Sequence, residues 1–400
     1  MLSAGWRKPF FTLYSGQAVF LVSSTAVQFA LIWWVTLRTS SPLALTLASF
    51  LGLVPQIVLG PFAGVLIDRY PRKVTMVLAA TLVAVASAAL ALSCLFGEPA
   101  LQLVYLILFV RAVGETFQKP ALQAVVPSLV PTEELQRAGG LGQLVVSVSA
   151  MAGPMLGALL MGIAGLCAVV WLDVVGAFLA IVTVALVRLP SVVPSVPAQG
   201  VFAEMRQGFR ALAANKAILA ATGLLFLTGM VVLPLGSLLP LLVKNYFAGT
   251  AWQAGLVQAL FSMGMLLAAL VLGVFAGNQK PFTRIALSTS FLGVFLMAGG
   301  LVPAGAFWFF CLVVVGIGAA GMVGNIPYMA AIQASIPPEH LGKVIATVSS
   351  LVSLGIPFGM AVAGPVAELV GISTWMVGAG VAVFVLGAAS WVFYRERRKS

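Results

Sequence analysis

Apolar runs alternate with short polar breaks along the whole chain. They occupy 10–37, 43–67, 74–96, 101–126, 139–163 and 166–187, then 217–242, 252–276, 284–302, 306–333, 344–368 and 372–394. A hydrocarbon core of about 30 Å needs roughly 20 helical residues to cross it, and these runs are of that order. Lipid offers no water to an unpaired amide, so each run is predicted to be a helix. Breakers mark most boundaries: Ser41-Pro42, Tyr70-Pro71, Gly97-Glu98-Pro99, Pro131, Lys280-Pro281, Pro303 and Pro337-Pro338. The first run follows Arg7 and Lys8 but continues to about Leu37 with no small-residue cleavage site, so it reads as a retained helix. The pattern predicts an all-α membrane protein with twelve transmembrane helices.

The longest polar segment, 188–216, is rich first in Pro and Ser and then in charge. It divides the chain into an N-terminal six-helix half, 1–187, and a C-terminal six-helix half, 217–400, joined by an interdomain linker. The halves resemble repeats. Val130-Pro-Thr-Glu-Glu-Leu-Gln-Arg137 is similar to Ile336-Pro-Pro-Glu-His-Leu-Gly-Lys343, and each follows the fourth helix of its half. Two parallel six-helix halves related by an axis along the membrane normal are a plan used by transporters.

Composition agrees. Of 400 residues, 61% are hydrophobic and 8% charged, against about 25% charged in soluble domains. The net charge of +11 would suit nucleic acid, but the cations sit in short loops rather than on one basic face. With both termini on the inner side, 17 of the 21 Lys and Arg residues lie inside. Arg38 and Lys244 lie outside, and Arg111 and Lys119 within a helix, the bias expected of a correctly oriented twelve-helix chain. Cys94, Cys167 and Cys311 have no short pair spacing, so no disulfide framework or metal site is expected. The single histidine, His340, builds no catalytic or zinc arrangement. No GxxxxGK[ST] loop is present, which argues against ATP-driven transport, and no hydrolase motif points to an enzyme.

One loop carries the sharpest motif: Gly64-Val-Leu-Ile-Asp68-Arg69-Tyr-Pro-Arg72-Lys73. An ordinary inner loop explains its cations but not Gly64 and Asp68 at this spacing. The segment resembles the GxxxDRxxRK signature of the major facilitator superfamily. Leu108-Phe-Val-Arg111-Ala-Val-Gly114 is similar to that superfamily's arginine-containing helix-4 motif, and Ala152-Gly153-Pro154-Met-Leu-Gly157 to its antiporter motif. The whole chain resembles the macrolide-efflux branch of drug:proton antiporters, including Tyr14-Ser-Gly16-Gln17-Ala18-Val19 and Tyr246-Phe247-Ala-Gly249-Thr250. The equivalent second-half loop, Gly277 to Arg284, lacks the acid. The resemblance implies the two-half major facilitator fold and export of hydrophobic or amphipathic molecules, macrolides first, driven by a proton gradient without a bound cofactor. It implies a bacterial cytoplasmic (inner) membrane location with cytoplasmic termini. It also implies a gating role for Gly64, Asp68, Arg69, Arg72, Lys73, Gly153, Pro154 and Gly157. Asp68 is expected to meet the positive end of the eleventh span, at Gly342–Val344. Protons, membrane lipids and a small substrate are the expected partners of a monomer, and nucleic acid is not.

The residues themselves name further candidates. Arg111 lies deep in the fourth run, where an isolated cation costs roughly 2.5 kcal/mol or much more. Glu115, four residues on, shares its helical face and is a natural partner, as a protonation-linked pair or a static one. Asp173 is the other deep acid; it can exchange protons near neutral pH or simply neutralise Arg111. Gly153, Pro154 and Gly157 in the fifth run, like Gly355, Pro357 and Gly359 in the eleventh, bend a helix and permit close packing, expected against the opposite half. A substrate cavity is expected from Gln17, Ser24, Gln28, Gln143, Asn325 and Tyr328, with Phe226 and Met230 as apolar walls. Interhelical hydrogen bonds and core packing explain the same residues equally well. Trp33 and Trp34 read either as cavity walls or as interfacial belt residues. An exporter or flippase of another amphiphile, such as a siderophore or lysolipid, is the competing transporter; a receptor or scaffold of the same fold is the competitor from another class.

Overall fold

The computed structural model describes residues 6–188, 201–274 and 281–396. Among them thirteen α-helices and one 3-10 turn are found, and no strand. Unit one contains α1 (Arg7–Thr39), most of α2 (Pro42–Arg69), α3 (Arg72–Cys94), α4 (Leu101–Leu129), α5 (Leu135–Ile163) and α6 (Gly165–Leu186). Unit two contains α7 (Val201–Ala214), α8 (Lys216–Asn245), α9 (Ala251–Val274), α10 (Pro281–Leu301), α11 (Phe307–Ser335), α12 (Pro338–Val370) and α13 (Ile372–Glu396). The start of α2, up to Leu47, groups with unit two. Twelve of the helices are long and apolar enough to cross a membrane.

The twelve expected runs are these twelve helices, with ends shifted by a few residues. Two of the shifts have local causes. α4 continues past Pro120 and Pro127, because the helix tolerates both prolines inside it. α12 begins six residues early, at Pro338, since proline at the first helical position lacks only an amide that has no partner there anyway.

Within the expected linker, Val201–Ala214 folds into a helix too short and too polar to span. It lies along the start of α12. Lys343 Nζ donates to Gln207 Oε1 at 2.6 Å, and a Cβ added at Gly208 would stand 2.5 Å from the Lys343 carbonyl oxygen. Asn215 then ends α7 and starts α8, its side chain accepting from the Ala217 and Ile218 amides at 3.1 and 3.2 Å.

In unit one, α3 and α6 pack closely along their length. Where they meet, Val83 and the small Ala84 on α3 cluster with the small, buried Ala177 and Ala180 on α6. Small residues let membrane helices approach where no hydrophobic effect drives them together.

Candidate functional site

Four helices of unit one converge on one charged cluster. α4 supplies Arg111, 1% exposed, and α6 supplies Asp173, 0% exposed. Their side chains form a direct ion pair between Arg111 Nη1 and Asp173 Oδ2. From α3, Ser87 Oγ accepts from Arg111 Nη1 at 2.7 Å and donates to Asp173 Oδ2 at 2.7 Å. From α1, Ser24 receives Arg111 Nη2 on its carbonyl at 3.2 Å and on its hydroxyl oxygen at 3.0 Å. The Ser24 hydroxyl in turn donates to Glu115 Oε1 at 2.6 Å. Ser23 Oγ lies 3.3 Å from Asp173 Oδ1 and 3.0 Å from the Phe20 carbonyl oxygen. A buried ion pair offsets its desolvation only when hydrogen bonds satisfy the remaining lone pairs and protons, and here they nearly do.

The local sequence explains the convergence. Arg111 and Glu115 are one turn apart on α4, so both point at the α1 face that carries Ser24. The same seam continues to Gln118 and Gln17, whose amides join at 2.8 Å. Gln17 Nε2, Gln118 Oε1 and Arg111 Nε are buried without a partner.

The geometry decides between readings the residues left open. Arg111 pairs directly with Asp173, while Glu115 Oε1 stays 3.8 Å from Nη2 and is reached through Ser24. Gln17 and Ser24 hold α1 to α4 and belong to the charged core of the unit. Gln28 is half-buried, Gln143 and Asn325 are exposed, and Tyr328 is buried against Thr222 at 2.7 Å. Phe226 and Met230 pack on α12, where added Cβ atoms at Gly355 and Gly359 would stand 3.1 and 1.9 Å from their carbonyl oxygens. Trp33 and Trp34 are buried, which removes the belt reading. Lys119 is exposed.

The α5 glycines correct one expectation. Gly153 and Gly157 pack on α1 of their own unit, at Thr25 and Ala26: a Cβ at Gly157 would lie 2.4 Å from the Ala26 carbonyl oxygen. Pro154, beside them, is buried. Arg72 donates to the Ala124 carbonyl at 2.5 Å, and Lys73 to those of Ala185 and Val187 at 2.7 and 3.1 Å. These cations therefore hold the negative ends of α4 and α6 within their own unit. Gly64, Asp68 and Arg69 lie in α2, but their side chains fall outside the described residues, as do His340's side chain and residues 277–280 of the second-half loop.

Ser87 and Ser23 were not singled out in the sequence. A serine in an alanine-rich run such as α3 carries no visible signal; its i,i+7 relation to Cys94 or to Ala80 says nothing of what stands opposite.

Comparison with known proteins agrees with this architecture. Residues 13–359 match the family model described as Major Facilitator Superfamily. The chain is 34% identical over 390 residues to macrolide efflux protein A of Streptococcus pyogenes, covering 95% of each. It is 30% identical over 302 residues to the enterobactin exporter of Shigella dysenteriae, covering 74% of this chain and 68% of that one. A crystal structure of a bacterial homologue of the iron transporter ferroportin, in an inward-facing state, superposes with a TM-score of 0.75 at 14% identity, covering 96% and 98%.

Proposed function

The chain belongs to the major facilitator superfamily, and from that premise we propose that it exports hydrophobic drugs of the macrolide class by proton-coupled alternating access. The near-full-length likeness to a macrolide efflux protein supports the substrate class. The observation that carries the coupling is the fully buried Arg111–Asp173 pair with Glu115 one hydroxyl away. Protonating Asp173 removes the countercharge of Arg111, and the guanidinium then has Glu115 as its nearest anion. A proton entering at one acid thus shifts a cation between two partners across α1, α4 and α6. Such a shift is a small local change that a two-state fold can amplify. Ser24 and Ser87 are positioning residues in this scheme. The Asp68–Lys73 loop acts as a gate. The protein sits in a bacterial cytoplasmic membrane with both termini inside, the side that holds 17 of its 21 cations.

The test is accumulation of a labelled macrolide in cells expressing the protein, with and without a protonophore. Lower accumulation that rises when the gradient collapses is the expected result. Accumulation equal to that of empty cells, with the protein present in the membrane, would remove macrolides as substrate. The likeness to an enterobactin exporter favours one second reading, export of a siderophore-like amphiphile. It predicts that labelled enterobactin, and not the macrolide, is depleted from the cells.

A further inference from the structure

We propose that Cys94 and Cys167 form a disulfide that staples α3 to α6 at one end of unit one. The sequence separates these cysteines widely, but antiparallel packing of the two helices brings them together. Two contacts set the register. Lys73 on α3 meets the carbonyl of Val187, just past the end of α6. Fourteen residues along α3, Ser87 meets Asp173, fourteen residues back along α6. Seven residues further along α3 stands Cys94, and six further back along α6 stands Cys167. A constant rise of about 1.5 Å per residue in each helix puts the two thiols at nearly the same height. They are neighbours there, close enough for the two side chains to interact.

Access and spacing suit the chemistry. Small residues line this seam, Ala84 on α3 with Ala177 and Ala180 on α6, and they let the backbones come close, as the short Cα separation of a disulfide requires. Neither thiol is fully buried. The turn after Cys94 is open, with Leu95 70% and Phe96 92% exposed. Cys311, in α11 of unit two, is buried and takes no part. In the orientation proposed above this end of the bundle faces outward, where disulfides form and persist.

The step is thiol–disulfide exchange with a protein or small-molecule disulfide as oxidant. One thiolate attacks the oxidant's sulfur and releases a thiol; the second thiolate attacks the mixed disulfide and releases the other. One S–S bond forms in the protein, one breaks in the oxidant, and the two protons end on the oxidant's thiols. The product fixes the relative height of the two helices that carry Ser87 and Asp173.

The pair is tested in membranes holding the intact chain. Diamide, an azo oxidant that takes up two electrons and two protons, is applied, and free thiols are then counted on the denatured chain with a polyethylene-glycol maleimide. The expected count falls from three to one, without a dimer on a non-reducing gel, and a reductant restores it. Cys311→Ser should fall from two to none, and Cys94→Ser should keep both remaining thiols. The oxidised wild type should also melt at a higher temperature than the reduced form, a shift absent in Cys94→Ser. Three free thiols after oxidation, a disulfide-linked dimer, or loss of thiols in Cys94→Ser would each overturn the proposal. Cys311→Ser leaves the pair intact, so the result stands even where Cys94→Ser folds poorly.

Discussion

The two units pack alike but fill their cores with different chemistry. α4 and α11 are both 29 residues long, and their first residues, Leu101 and Phe307, stand 206 positions apart. α6 and α13 each open beside a glycine of positive φ, Gly165 at 74° and Gly371 at 85°, again 206 apart. At that offset Arg111 corresponds to Ile317 and Asp173 to Ala379, both buried. Gly153 corresponds to Gly359, and each lies against the first spanning helix of its own unit, α1 or α8. The packing device is therefore shared and the charge is not. Among the described residues, unit two buries no acid or base; Thr222 and Tyr328 join across α8 and α11 as neutral hydroxyls instead. A unit of this plan closes without an ion pair, so stability alone does not call for Arg111 and Asp173.

The largest expected effect tests that contrast directly. Asp173→Asn leaves Arg111 buried with its remaining acid 3.8 Å away. It should cost about 3–5 kcal/mol of stability and abolish the response of transport to a pH gradient, while ligand binding stays detectable. Thermal melting and gradient-driven transport in vesicles are the measurements. A full pH response in Asp173→Asn would move the proton to Glu115 or Asp68. The double change Arg111→Met with Asp173→Leu sharpens the point, since it makes unit one resemble unit two. Its melting temperature should return close to wild type while transport stays lost. Recovery of both would make the pair dispensable, and recovery of neither would make it structural.

Next in size are the shared glycines. Gly153→Ala and Gly359→Ala each push a Cβ into the neighbouring helix, at Thr25 or at the Met230 carbonyl, and should each cost about 1–3 kcal/mol. Comparable melting shifts would support equivalent packing in the two units; a silent change in one would break the correspondence. Ser87→Ala deprives Arg111 and Asp173 of their shared hydroxyl and should cost about 1–3 kcal/mol, with a changed pH profile of transport. The smallest effect is expected in unit two. Tyr328→Phe removes one neutral hydrogen bond, worth about 0.5–1.5 kcal/mol, and should leave the pH profile unmoved. A displaced profile there would show that coupling extends beyond the charged unit.

Much of this was legible before any coordinates. Run length against bilayer thickness gave the spans, because in lipid the helix is the local way to satisfy a backbone amide, whatever lies beside it. Arg111 and Asp173 stood out for the same reason, since a charge deep in an apolar run is costly wherever it points. α7 was missed because Glu204, Arg206, Gln207 and Arg210 interrupt its apolar residues, so they form no continuous run. The stripe of Gln17 and Ser24 was visible, but its direction was not. Helical spacing says which residues share a face, and not whether that face meets a cavity or a neighbouring helix.

The sequence by itself determined the class, the number of spans and the cost of the buried charges, all properties of single segments in a known solvent. Only the tertiary structure decided that Arg111 pairs with Asp173 rather than principally with Glu115, that Ser87 completes the pair, that the α5 glycines serve their own unit, and that Cys94 meets Cys167. Each of those contacts joins residues distant along the chain. Their meeting depends on the register between packed helices, which is set by the summed fit of many small side chains and leaves no local mark in the sequence.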